Sequence, residues 1–144
     1  MTSNKQLLRN SAIAFVLAGL IATTLHELAH FVTALLLDGQ GQFHPTYVSL
    51  ADNVSKNHQM LAAGAGPLFS LISGLAVIGL CRSKVSNFWG LVRMWFGFLS
   101  AQIGFGYFLV APFAKGGDTG QVLSLLNANA ILIALVCGIG VIGT

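Results

Sequence analysis

Four long apolar stretches dominate this chain, at about residues 11–37, 60–81, 88–113 and 121–142. Each is long enough for the about 20 residues a helix needs to cross roughly 30 Å of hydrocarbon. Charged side chains make up only 8% of the 144 residues, against about 25% in ordinary soluble domains. A polar coat able to cover a globule in water is therefore missing, and a disordered chain is excluded by the same shortage of charge. Seven basic residues spread along the sequence form no nucleic-acid footprint. Cys81 and Cys137 lie far apart in apolar runs, so they make neither a disulfide framework nor a CxxC metal site. The expectation is an all-α integral membrane protein, one domain over residues 1–144, with about four transmembrane helices in a lipid bilayer.

The first stretch follows Lys5 and Arg9 and ends without a small-residue cleavage site. It exceeds the length of a signal-peptide core, which reads as a retained span. The loop after it opens with the turn-rich Asp38-Gly39-Gln40-Gly41. Phe43 to Leu50 alternates roughly and is compatible with a short strand or β-hairpin, kept at an edge by Pro45. Counting basic residues places Lys5, Arg9, Arg82, Lys84 and Arg93 on one side, with Lys56 and Lys115 on the other. The positive-inside rule then puts both termini in the cytoplasm.

Ionisable groups inside a span are costly and mark function by default. The first span contains His26-Glu27-Leu28-Ala29-His30, in which Glu27 is the only glutamate of the protein. Residues i and i+4 stack on one helix face, so both imidazoles can reach one ion. Glu27 sits about one residue's rotation away, near a water on that ion without being a ligand. This is the HExxH arrangement of zinc hydrolases, with the glutamate as general base. The plainer reading is interhelical hydrogen bonding between polar groups.

A catalytic zinc usually takes three protein ligands. Candidates for the third are Asp38, Asp52, Asp118, His44 and His58. Asp38 follows His30 by eight residues, about 12 Å along the same helix, which is too far. Asp52, His44 and His58 belong to the polar loop. Asp118 lies in Pro112-Phe113-Ala114-Lys115-Gly116-Gly117-Asp118-Thr119-Gly120, a helix-breaking segment after a long apolar run. With Gln121 it also forms a D-x-x-Q capping box for a fourth helix. Cap and ligand are equally supported by the local sequence, and they are compatible.

In the second span Ala62, Gly66, Ser70 and Gly74 recur every four residues. Such a ridge lets another helix approach closely in lipid, and the helix carrying the histidines is its natural partner. Pro67, in the middle of this ridge, kinks the helix or frees backbone groups that orient a substrate.

The ordered set HELAH (His26 to His30), GPLFS (Gly66 to Ser70) and PFAKGGDTGQVL (Pro112 to Leu123) resembles the site-2 protease family of intramembrane zinc metalloproteases, in its small, minimal-core form. The resemblance covers roughly residues 20 to 125. It implies that His26, His30 and Asp118 bind one Zn2+ and that Glu27 is the catalytic base. It also implies a transmembrane segment of another protein as the substrate, cleaved in or near the bilayer of the cell membrane. Gly66, Pro67 and Ser70 would contact substrate or pack helices. Ser70 stands where family members often carry Asn, and Gly117 precedes the aspartate where they carry an apolar residue. A catalytic centre toward the cytosol, usual in the family, would put the N-terminus outside, against the basic-residue count. The alternative function is a metal-binding membrane protein that has no proteolytic activity and no need of Glu27.

Overall fold

The computed structural model describes residues 4–38, 41–44, 47–50, 54–80, 85 and 87–144. Five helices make up most of it: α1 (Asn4–Asp38), α2 (Lys56–Leu80), α3 (Phe88–Val110), α4 (Asp118–Leu125) and α5 (Ala130–Gly143). Between α1 and α2 the backbone of β1 (Gly41–His44) pairs antiparallel with β2 (Tyr47–Leu50), Phe43 opposite Val48. Pro45, Asp52, Cys81, Arg82 and Lys84 lie outside the described residues.

Helix starts follow from local polar groups. Ser55 Oγ accepts from the His58 amide ahead of α2. Asn87 caps α3 through the Gly90 amide at 2.8 Å. Asn129 caps α5 through the Leu132 amide at 2.9 Å. Each supplies a side-chain oxygen to an amide that has no partner inside its helix.

Among the described residues two helices, α1 and α2, are long and apolar enough to cross a membrane, where the sequence suggested four. Helix α3 has the length, at 23 residues, but less hydropathy than these two. The fourth stretch, expected as a single helix over 121–142, is broken into α4 and α5. Asn127 adopts a left-handed φ of 51° at the break, a conformation asparagine tolerates better than most residues. Asn129 then starts the new helix. The 14 residues of α5 reach about 21 Å, short of the hydrocarbon thickness.

The core is built from small side chains. Among the described residues, eight of the twelve buried apolar ones are alanines, while Leu36, Leu80, Phe113 and Ile142 are each more than 80% exposed. In α1 the buried positions Ala14, Ala18, Ala22, His26, His30 and Ala34 follow one another every four residues. Glycines bring the other helices equally close. A Cβ at Gly74 would overlap the Ala101 backbone, and one at Gly104 would overlap Leu71, which sets the α2–α3 contact. Gly140 lies against the Leu109 backbone and Gly143 against the Phe105 ring, docking α5 on α3.

Candidate metal centre

His26 and His30 project from the buried stripe of α1, one turn apart. Asp118 reaches them from the first residue of α4, although 88 residues separate it from His30. Its Oδ2 lies 3.1 Å from Nε2 of each histidine, and the two Nε2 atoms lie 3.1 Å from one another. These three side chains are a group able to hold a metal ion. The histidine side chains are 3% and 7% exposed and that of Asp118 is 26% exposed, so the group is most open on the α4 side.

Each imidazole is held by its other nitrogen. His30 Nδ1 donates to the Ala62 carbonyl at 2.6 Å. A carbonyl only accepts, so a neutral His30 ring carries its proton on Nδ1 and turns the Nε2 lone pair to the centre. His26 Nδ1 pairs with Ser70 Oγ at 2.9 Å. When His26 Nδ1 donates to the Ser70 hydroxyl, which can accept as well as donate, the centre gathers two imidazole lone pairs and a carboxylate oxygen, which attract one another only through a shared proton or a cation. The spacing suits a cation. Bonds of about 2.0–2.1 Å in tetrahedral geometry place neighbouring ligand atoms about 3.3 Å apart, close to the 3.1 Å edges of this triangle.

Helix α2 makes room for the group. A Cβ on Gly66 would collide with His30 Nε2 and stand 2.7 Å from His26 Nε2. Ala62, Gly66 and Ser70 thus meet α1, as the ridge suggested, whereas Gly74 turns to α3. Pro67 is fully buried and stays inside a continuous α2. Ser70 and Gly66 border the imidazoles, Ser70 by a hydrogen bond and Gly66 by having no side chain.

Glu27 is 7% exposed and interacts electrostatically with His26, His30 and Asp118. The capping-box reading of Asp118 is corrected. Gly117 is the N-cap of α4 without a side-chain cap bond, and Asp118 stands inside the first turn. Its carboxylate is engaged by the two imidazoles instead. Gln121 enters α4 through its own amide, bonded to the Gly117 carbonyl at 2.7 Å. Next to Asp118, Thr119 Oγ1 is buried without a hydrogen-bond partner, alone in this among the described residues. Of the other candidate ligands, His58 lies at the start of α2 and outside the group. Asp38 ends α1, His44 ends β1, and Asp52 is outside the described residues.

One neighbour was missed in the sequence. The Tyr107 ring from α3 stacks on His26, with centroids 5.0 Å apart and planes 15° from parallel. A tyrosine within a span is a weak signal for such a place, because its ring alone suits either lipid or core. No protein-family model, curated protein or solved structure matches this chain.

Proposed function

We propose that this chain is an intramembrane zinc metalloprotease, a small member of the site-2 protease class, which hydrolyses a peptide bond in or near the transmembrane segment of another protein. The observation that carries the reading is the convergence of His26, His30 and Asp118 on one point, with Glu27 buried beside them. Hydrolysis needs a general base next to the metal, and a plain metal-binding site does not.

Its setting is the bilayer of the cell, crossed several times. Only 28% and 33% of the most apolar windows of α1 and α2 are buried within the chain, unlike core helices of a soluble protein. Large apolar side chains outside and alanines inside fit a lipid surround. Helix α3 makes a third pass, and α4 with α5 a fourth, broken at Asn127 where protein covers the open backbone.

His26, His30 and Asp118 hold the zinc. When bound, zinc polarises the scissile carbonyl and lowers the pKa of water toward 7. Glu27 takes the proton from the attacking water and delivers it to the leaving amine. Ser70 and the Ala62 carbonyl keep the two imidazoles turned inward. Because α2 and α1 are closed around the histidines, water and substrate enter from the side of Asp118.

The test is zinc content and cleavage of a panel of single-span membrane proteins co-reconstituted in vesicles. Wild type is expected to carry about one zinc per chain and to cut a panel member. Glu27→Gln keeps the zinc and loses cleavage by about 10²–10⁴-fold, and Asp118→Ala loses both. Unchanged cleavage by Glu27→Gln would sink the protease reading. Absence of zinc from wild type purified without chelator would sink the metal centre as well.

A further inference from the structure

The three members of the triad are placed by different means. His26 and His30 stand one turn apart on the 35-residue α1, so the helix itself sets their spacing. Asp118 opens α4, a helix of only eight residues that no side chain caps at its start. The reach of its carboxylate must be fixed by what holds that first turn.

The backbone ahead of α4 does so. Past the end of α3 the Val110 carbonyl accepts the amides of Phe113 and Ala114, each at 2.9 Å. The Ala114 carbonyl then accepts the Gly117 amide at 2.9 Å, and the Gly117 carbonyl accepts that of Gln121 at 2.7 Å. Asp118 thus follows a series of bonded turns leading out of α3. Helix α4 folds back on this series at Gly120, which is buried. A Cβ there would overlap the Ala114 carbonyl and stand 3.0 Å from Lys115 Cα. Both are backbone atoms, which cannot swing aside as the end of a side chain can. Where Gly64 of α2 faces α4 the fit is looser, since a Cβ on it would meet Val122 at 3.7 Å.

We propose that Gly120 is a positioning residue of the metal centre: its bare Cα seats the first turn of α4 on the Ala114 carbonyl, and that contact sets the reach of Asp118 to His26 and His30. This rests on reading the triad as a metal site and applies whatever reaction that metal serves.

Gly120 lies two residues past Asp118, within the same helical turn. A methyl group added there must push the turn off the Ala114 carbonyl or distort the hydrogen bonds that lead into it. Either change carries Asp118 Oδ2 away from the point 3.1 Å from both Nε2 atoms. Backbone freedom is not what this glycine contributes, because Gly116, Gly117 and Gly120 all lie outside the left-handed region. The space left by the missing Cβ is what matters.

The same three glycines grade the test. A Cβ at Gly116 meets nothing within 4 Å, one at Gly117 stands 3.3 Å from the Ala114 carbonyl oxygen, and one at Gly120 overlaps it. Full-length protein in detergent is stripped with chelator, then titrated with Co2+ for its visible spectrum and with Zn2+ against a chromophoric chelator. Gly116→Ala should match wild type. Gly120→Ala is expected to bind Zn2+ about 10- to 100-fold more weakly, with shifted Co2+ bands, and Gly117→Ala should fall between. The circular dichroism of the stripped proteins should match wild type. If Gly120→Ala fails to fold, Gly117→Ala decides, because it presses on the same carbonyl more gently. In an Asp118→Asn background, read at high Co2+, Gly120→Ala should have little further effect, because the group it acts through has changed. Wild-type affinity and Co2+ spectra in the folded variants at Gly117 and Gly120 would overturn the proposal and leave the metal site standing. An equal loss from Gly116→Ala, or a loss undiminished in the Asp118→Asn background, would assign the effect to general packing and overturn it too. Failure of wild type to bind either ion would remove the metal reading, and this inference with it.

Discussion

Helix α1 uses one stripe for two purposes. In its N-terminal half Ala14 and Ala18 pack with Leu91 and Val92 of α3, flanked by Leu17, Ile21, Trp95 and Leu99. One turn beyond Ala22 the same four-residue repeat carries His26 and then His30, and the facing helix becomes α2. In both halves the contact depends on a missing side chain: alanine on α1 in the first, Gly66 on α2 in the second. The difference lies in what fills the gap. The alanine half closes on apolar atoms, and its tolerance is set by volume. The histidine half closes on polar atoms, and once buried away from water every one of them needs a partner. That requirement explains why Ser70, the Ala62 carbonyl and Asp118 all converge there, and why a ridge of small residues on α2 can serve as the back wall of a chemical site.

The sharpest way to break this contrast is Gly66→Ala. The added methyl would collide with His30 Nε2, so α1 and α2 must separate or the imidazole must leave the centre. Zinc affinity is expected to fall by more than about 100-fold, beyond the usual effect of an outer-shell change, while helical circular dichroism stays near wild type. Retained stoichiometric zinc would show that the wall of the site is compliant. A smaller effect is expected from Ser70→Ala, which leaves His26 Nδ1 without its partner but keeps the space open. Zinc should bind about 10- to 100-fold more weakly, measured by chelator competition. An unchanged affinity would mean that the ring on α1 is oriented by Tyr107 stacking alone.

How much of this could be read beforehand differs between the two halves. The histidine half is legible because its signal is local: two histidines and a lone glutamate at fixed spacing in an apolar helix. Asp118 was recognisable by contrast, an acid in a glycine-rich break. The small-residue spacing of Ala62, Gly66 and Ser70 also pointed at α1. Tyr107 was not legible, since nothing in a run such as Gly104-Phe105-Gly106-Tyr107-Phe108 says which ring turns inward. Nor was the break in the last apolar stretch. Asn127 and Asn129 are the residues favoured at a left-handed helix end and at a new N-cap, yet two asparagines barely lower the apolar content on which a span is judged. Counting hydropathy averages over the very positions where the backbone turns. The alanine stripe is intermediate: the spacing is present in the sequence, but alanine is too common in helices for its period to name the partner.

In the alanine half the expected behaviour is the reverse of that at Gly66. Ala18 is fully buried, so Ala18→Leu overfills the α1–α3 contact and should destabilise the protein by about 1–3 kcal/mol. Zinc affinity of the folded fraction should remain within a few-fold of wild type, because the ligands lie two turns further on. A large loss of zinc affinity would instead show that the two halves of α1 move as one body. The smallest effect is expected at a polar tie of this half, where the Trp95 indole donates to Ser11 Oγ at 3.0 Å. Ser11→Ala removes one neutral hydrogen bond, worth about 0.5–1.5 kcal/mol, and leaves the edge-to-face packing of Trp95 on Phe15 in place. Thermal unfolding in detergent measures the loss, and tryptophan emission reports whether the indole finds another acceptor. If Ser11→Ala costs more than Ala18→Leu, the N-terminal half is held by its hydrogen bond rather than by volume, and the contrast between the two halves of α1 fails.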